Sequence, residues 1–162
     1  MSAWHSAEDA ALRFPRLMAN RRAYAKHHGY TALDIMTPRE LDAAYWHNSI
    51  DPYWLKVAAL RQLAATATFD WLLYTDTDFH VLDFARPLDA FLPSAERLHN
   101  SSVSLVVPQE RSDSRTFSNF VTLVRTDPVG RHFLDLWWEE RQHCNSSFPD
   151  QVNGPLSISH LR

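Results

Sequence analysis

Asp70-Trp71-Leu72-Leu73-Tyr74-Thr75-Asp76-Thr77-Asp78 is a short apolar run that ends abruptly in two aspartates one residue apart. Such a run, with few charges, reads as a buried strand, and its carboxylates fall where that strand leaves its sheet. Open α/β sheets bind ligands at the carboxyl ends of their strands. Carboxylate oxygens are hard ligands suited to Mg²⁺ or Mn²⁺, which bridge in turn to substrate phosphates. Adjacent carboxylates also repel each other, and a divalent cation relieves that repulsion. The same two residues could equally line a solvated turn, so their neighbours matter.

On the N-terminal side, Asp51-Pro52 opens a helix that runs to about Ala65, with Trp54, Val57, Ala58, Leu60 and Leu63 at helical spacing. Before it, Thr37-Pro38-Arg39-Glu40 forms a capping box for a short helix reaching about Tyr45. Tyr30 to Met36 is a strand candidate, and Gly29 caps the helix that precedes it. That helix carries Leu17, Met18 and Tyr24 on one side, and Pro15 starts or kinks it. Ser6 with Asp9 opens a first helical piece.

On the C-terminal side, Val103 to Val107 and Asn119 to Arg125 read as strands. Asp127-Pro128 caps a helix that buries Phe133, Leu134, Trp137 and Trp138. Pro149 to Ser157 forms a last short helix, and the Ser-rich, charged Pro108–Phe117 stretch is a loop beside the cleft. Helices mixed with strands in this order indicate an α/β fold with a mostly parallel sheet.

The 162 residues suit a single domain, and no linker or repeat divides them. A net charge of −3 without a long basic run speaks against a nucleic-acid partner. Cys144 is the only cysteine, so no internal disulfide forms. No apolar stretch is long enough to span a bilayer, and no signal peptide precedes the first helix. The sequons at Asn100 and Asn145 matter only if the chain enters the secretory pathway.

Trp54-Leu55-Lys56 with Leu60-Arg61, then Asp70-Trp71, then Asp76-Thr77-Asp78, resembles a motif series of Golgi glycosyltransferases. The group is glycosyltransferase family 34, the galactosyl/mannosyltransferases and xyloglucan xylosyltransferases. The resemblance continues upstream in Asn20-Arg21-Arg22-x-Tyr24-Ala25-x-x-His28-Gly29-Tyr30. Downstream it continues in Pro87-Leu88, Ser118-Asn119, Leu123-Val124-Arg125, Phe133-Leu134-Asp135-x-Trp137 and Asp150-Gln151. A looser kinship to nucleotide-diphospho-sugar transferase domains in general is equally compatible.

The resemblance implies a GT-A fold, a Rossmann-like mixed sheet flanked by helices. It implies transfer of a sugar, with retention, from a UDP- or GDP-sugar to a glycan acceptor in the Golgi lumen. It implies Mn²⁺, or Mg²⁺, on the donor diphosphate. Asp78 would be its main direct ligand, and Asp76 would bind it through water or hold the donor ribose or sugar. Lys56 would lie near the donor and help neutralise the diphosphate; its plain alternative is a solvated helix face. Asn119 would sit by donor or acceptor, although Phe120-Val121 replaces the small residue and glycine usual after it. Asp150 would orient sugar hydroxyls and Gln151 would support an oxocarbenium-like transition state; otherwise the pair marks a helix N-terminus.

Some family features have no counterpart: a first strand before Asn20, and a histidine well downstream of Gln151 as a third metal ligand. The expectation is a domain incomplete at both ends, whose membrane anchor lies outside this chain. Two other readings compete. One is a catalytically inactive transferase-like fragment that serves as a binding module. The other is a metal-dependent phosphohydrolase with Asp76 as nucleophile, although His80 stands where its motif would carry Thr or Val. His80 is also near enough in sequence to be a ligand, but a loop histidine without that role is the simpler reading. Arg61 reads as structural, and Trp137-Trp138 as core rather than a sugar platform.

Overall fold

The computed structural model describes residues 7–33, 54–92, 103–108 and 118–142, with the backbone alone over 7–13. It is a mixed helix-and-strand structure. Helix α1 (Ala7–His28) is followed by α2 (Leu55–Ala65), β1 (Trp71–Thr75), a 3-10 turn at Leu88–Phe91, β2 (Leu105–Val106), β3 (Val121–Arg125) and α3 (Pro128–Glu139). A further 3-10 turn, Glu140–Gln142, extends α3.

The sheet corrects an expectation. Its strands run in the order β1-β3-β2, and both pairings are antiparallel. A parallel neighbour needs a crossover that carries the chain back to the start of the first strand. Between β1 and β3 the described residues hold only the 3-10 turn and β2, with no α-helix to make that return. The mostly parallel, Rossmann-like sheet is therefore not what these strands build.

Register then explains the core. Leu72 pairs with Val124, which pairs on its other side with Leu105, so these residues share one face. That face packs against Trp54, Val57, Leu60 and Ala64 of the α2 segment and Phe133, Leu134 and Trp137 of α3. Only one face of β1 is closed by these helices, so Leu73 points away and is half-exposed. The run around Leu72 is thus a half-buried antiparallel strand rather than a fully buried one. Arg61 braces the two helices: its guanidinium binds Asp135 through Nε at 2.8 Å and Nη2 at 2.7 Å. Trp137 is core, and Trp138 is half-buried, with the guanidiniums of Arg61 and Arg141 over its ring.

Local signals account for the helix ends. Asp127 caps α3 by accepting the Gly130 amide at 2.8 Å, with Pro128 at the first helical position. Gly29 closes α1 at φ +72°. There Tyr30 N–H donates to Ala25 O and Gly29 N–H to Lys26 O, the paired bonds of a Schellman motif. Pro15 neither starts nor ends a helix, because α1 runs continuously through it. Residues 30–33 form no strand, and 34–36 lie outside the described residues, as do the helices expected at 37–45 and 149–157. Asp51-Pro52, most of the 108–117 loop, both sequons and Cys144 lie outside them as well.

The C-terminal half of α1 holds the chain that follows β1. Asn20 both donates to Val81 O at 3.0 Å and accepts from Val81 N–H at 2.8 Å. The Tyr24 hydroxyl donates to Arg86 O at 2.7 Å, and His28 Nε2 meets Phe84 O at 2.7 Å. Leu88 N–H donates to the Tyr30 hydroxyl at 3.0 Å. Burial of Tyr24, and secondarily the nearby Tyr30, Asp83 and Asp89, raises its phenol pKa above the ordinary 10.0.

A raised phenol contributes stability that is complete below the unfolded value and is lost as pH climbs through the folded one. Tyr24→Phe should therefore cost about 0.5–1.5 kcal/mol at neutral pH, the loss of one hydrogen bond. That deficit should shrink from about pH 10 upward, where the unfolded phenol ionises. Urea midpoints of both proteins across that range give the difference. A deficit that stays constant with pH would contradict the assignment.

Candidate functional site

β1 ends at Thr75, and Asp76 begins a tight turn closed by Phe79 N–H donating to Asp76 O at 3.1 Å. Asp76 N–H still donates to Phe120 O at 2.9 Å, so the turn starts while its first residue is tied to the chain entering β3. At the carbonyl of the same residue, Arg21 Nη1 donates to Asp76 O at 2.7 Å and reaches Thr75 Oγ1 at 3.4 Å. Asp76 is thus fixed at both backbone polar groups before its side chain is considered.

The Asp76 carboxylate faces Lys56. Lys56 Nζ lies 3.8 Å from Asp76 Oδ1, and the lysine side chain is only 9% exposed against 37% for the aspartate. The Tyr74 hydroxyl donates to the same Oδ1 at 2.8 Å. The Lys56 ammonium also stands 5.4 Å from the centroid of the Tyr74 ring, a cation–π distance. α2 supplies the lysine, β1 the tyrosine, and the strand-end turn the carboxylate. A lysine this buried is not a solvated helix-face residue, which removes the plainer reading of Lys56.

Asp78 lies two residues further along the turn and is exposed. Asn119 is buried, immediately before Phe120, whose carbonyl receives the Asp76 amide. The strand register places it at the same end of β1 as the aspartates. Phe120 itself is half-exposed at 44%, so its ring does not fill the interior next to Asn119. His80, just past the turn, is exposed. Asp150 and Gln151 lie outside the described residues. Among the described residues no group of three or more His, Cys, Asp and Glu side chains is gathered as a metal cage. Also among them, no helix is long and apolar enough to cross a membrane.

Tyr74 and Arg21 are the site residues that sequence reasoning passed over as carriers of a role. Tyr74 sits two residues before Asp76, just inside the end of β1, and its hydroxyl reaches the Asp76 carboxylate, a period-2 signal present in the sequence. Around Arg21, the polar Asn20, Tyr24 and His28 recur every four residues, which marks one face of a helix. That face is the one that grips the segment after the aspartates.

Comparison with known proteins finds no matching family model, no matching curated protein and no matching solved structure. The functional reading rests on the motif residues and on the geometry around Asp76.

Proposed function

We propose that this chain is a metal-dependent glycosyltransferase domain that moves a sugar from a UDP- or GDP-sugar to a glycan acceptor, with retention, in the Golgi. The observation that carries the reading is the buried Lys56 paired with Asp76 at the end of β1, with Asp78 exposed on the same turn. Cations of the Mg²⁺ and Mn²⁺ class keep several waters and are bound by one or two carboxylates plus substrate phosphates. Asp78 and the Asp76 carboxylate, side by side on one strand-end turn, suit such a donor set. A cation held there supplies Lewis-acid stabilisation to the leaving diphosphate.

The chain's own residues then have distinct tasks. Lys56 adds a fixed positive charge beside the diphosphate oxygens. Tyr74 and Arg21 hold Asp76 in place, so that little reorganisation is needed when charge develops on the leaving group. Asn119 contributes an amide on the same side of the strand end. By the motif resemblance, Asp150 would orient sugar hydroxyls and Gln151 would support an oxocarbenium-like transition state. The antiparallel strands leave the proposal resting on this site rather than on a parallel nucleotide-binding sheet.

Thermal-shift titration tests the reading with UDP and GDP, each with and without MnCl₂. At about a hundredfold over Kd a ligand adds roughly 2.7 kcal/mol to stability. For a domain of this size that raises Tm by roughly 5–10 °C. Asp78→Asn should remove the metal-dependent part of the shift while leaving the melting of the apo protein unchanged. Absence of any shift with either nucleotide would defeat the proposal. Donor binding without transfer or hydrolysis would instead mark a transferase-like binding module.

A further inference from the structure

We infer that the ring of Phe120 is the platform on which an acceptor sugar docks, one face of a pyranose lying flat against it beside the aspartate turn. The inference rests on the proposed function and concerns where the second substrate sits. It starts from the place of Phe120 at the end of the sheet. Thr75 pairs with Val121, so the next residues outward are Asp76 and Phe120. Asp76 N–H donates to Phe120 O at 2.9 Å, which continues the pairing one residue beyond the strands. Backbones joined in this way bring facing Cα atoms within roughly 5–6 Å. The ring that Phe120 carries at this place is 44% exposed.

Apolar side chains exposed singly are ordinary on a protein surface. Two observations set this one apart. Of the two exposed phenylalanines among the described residues, Phe91 lies under the Arg86 guanidinium, 4.6 Å from its ring centroid, whereas Phe120 stands next to the candidate site. The backbone of Phe120 is also held from both sides. Ser118 N–H donates to Pro108 O at 2.8 Å, and the Phe120 carbonyl is the acceptor for Asp76. A ring on a fixed backbone receives a ligand with little ordering cost. It is also where this chain departs from the motif series it resembles, so no role is carried over to it from there.

The chemistry of the ring selects its ligand. Lys56, Asp76 and Asp78 are the charged groups suited to a diphosphate and a cation. A phenyl ring offers a diphosphate no polar atom, and suits an uncharged surface lined with C–H bonds. One face of a pyranose is such a surface, with the hydroxyls pointing outward around its edge. A nucleobase would stack as well, but a ribose separates it from the diphosphate, whereas both sugars of a transfer meet at the anomeric carbon next to it. The donor sugar arrives already bonded to the diphosphate. The acceptor has only its own contacts to hold it, and a solvent-facing ring is open to it from outside.

Saturation-transfer NMR on the whole chain, with UDP and MgCl₂ present, tests the inference. The probes are the methyl α- and β-pyranosides of glucose, galactose, mannose and xylose, with cellotetraose and maltotetraose. Wild type is compared with Phe120→Ala, Phe120→Leu and Phe120→Tyr. Ala keeps the main-chain carbonyl that binds Asp76, Leu keeps bulk without a flat face, and Tyr keeps the ring. At least one probe should bind wild type, with saturation strongest on the C–H protons of one ring face. Its affinity should fall about 5–10-fold in Ala and Leu, and be kept in Tyr. The Tm shift produced by UDP with MgCl₂ should be the same in all four proteins, which a merely structural role for Phe120 would not allow. A wild type that binds no probe, or an Ala or Leu variant that binds as wild type does, overturns the inference and leaves the proposed function standing. Titration with UDP, UDP-glucose and UDP-galactose separates the other occupants. A loss in Ala confined to the sugar nucleotides would put the donor sugar on the ring, and an equal loss with UDP would put the base there; either overturns the acceptor assignment. If wild type takes up neither UDP nor GDP, the proposed function falls and the inference with it.

Discussion

Alanine at position 130 should destabilise the fold by about 3 kcal/mol or more, at or above the top of the usual range for overpacking. Gly130 lies in the first turn of α3, where that helix crosses the end of β3. A Cβ built there would stand 1.9 Å from the Arg125 carbonyl oxygen and 3.2 Å from Val124 Cγ2. The first contact is with backbone, so no side-chain rotation relieves it. Relief requires α3 to move away from the sheet, which opens the core around Val124, Phe133 and Leu134.

For a chain of this length the Tm should fall by roughly 6–12 °C. Gly29 is the natural control, since a Cβ there meets nothing within 4 Å but the backbone sits at φ +72°. Gly29→Ala should cost about 1–2 kcal/mol through backbone strain alone. Gly29→Asn should recover part of that, because Asn tolerates the left-handed region. No such recovery is expected for Gly130→Asn. Urea denaturation of these variants separates the two causes, and a Gly130→Ala protein as stable as wild type would refute the close approach of α3 to β3.

Trp137→Ala should cost about 3–5 kcal/mol, the range for emptying a fully buried large aromatic site. Trp137 is 0% exposed and its ring lies 5.6 Å from that of Phe133. It belongs to the cluster in which α2, β1, β3 and α3 meet, so no single element can relax into the vacated space. A loss of this size is a large part of the net stability typical of a domain, about 5–15 kcal/mol. The same substitution at Trp138 should cost less, because that ring is only half-buried and packs partly against the guanidiniums of Arg61 and Arg141. Denaturant midpoints of the two variants measure the contrast. Equal losses would mean that the core extends around Trp138 as well.

Local chemistry was the part of this fold legible from the chain. Asp127-Pro128 announced the start of α3 and Gly29 the end of α1, because caps are read from a few adjacent residues. The spacing of Trp54, Val57, Ala58, Leu60 and Leu63 gave α2, although the helix begins at Leu55 behind Trp54. Pro15 misled, since a proline within a long helix costs a bond that the surrounding turns can carry.

Strand direction was not legible. Periodicity reports which face is buried but says nothing about which way a partner runs, so Trp71–Thr75 was found and its antiparallel pairing with Val121–Arg125 was not. At the site, Asp76 and Asp78 were visible as a pattern, and the motif resemblance brought Lys56 beside them. The roles of Tyr74 and Arg21 depended on which oxygen and which carbonyl they reach, and only tertiary structure fixes those.

The grip of α1 on the chain after the aspartates has a consequence for what that chain can be made of. The atoms that Asn20, Tyr24, His28 and Tyr30 engage at positions 81, 84, 86 and 88 are all main-chain amides and carbonyls. Apart from the ring of Phe84, which meets those of Tyr24 and His27, a clasp of that kind is blind to side-chain identity. It fixes the route of the polypeptide and leaves its outward lettering open, as Leu82, 89% exposed, illustrates. The outward positions of this stretch other than Phe84 can therefore be rewritten while the carboxylates upstream of it keep their place.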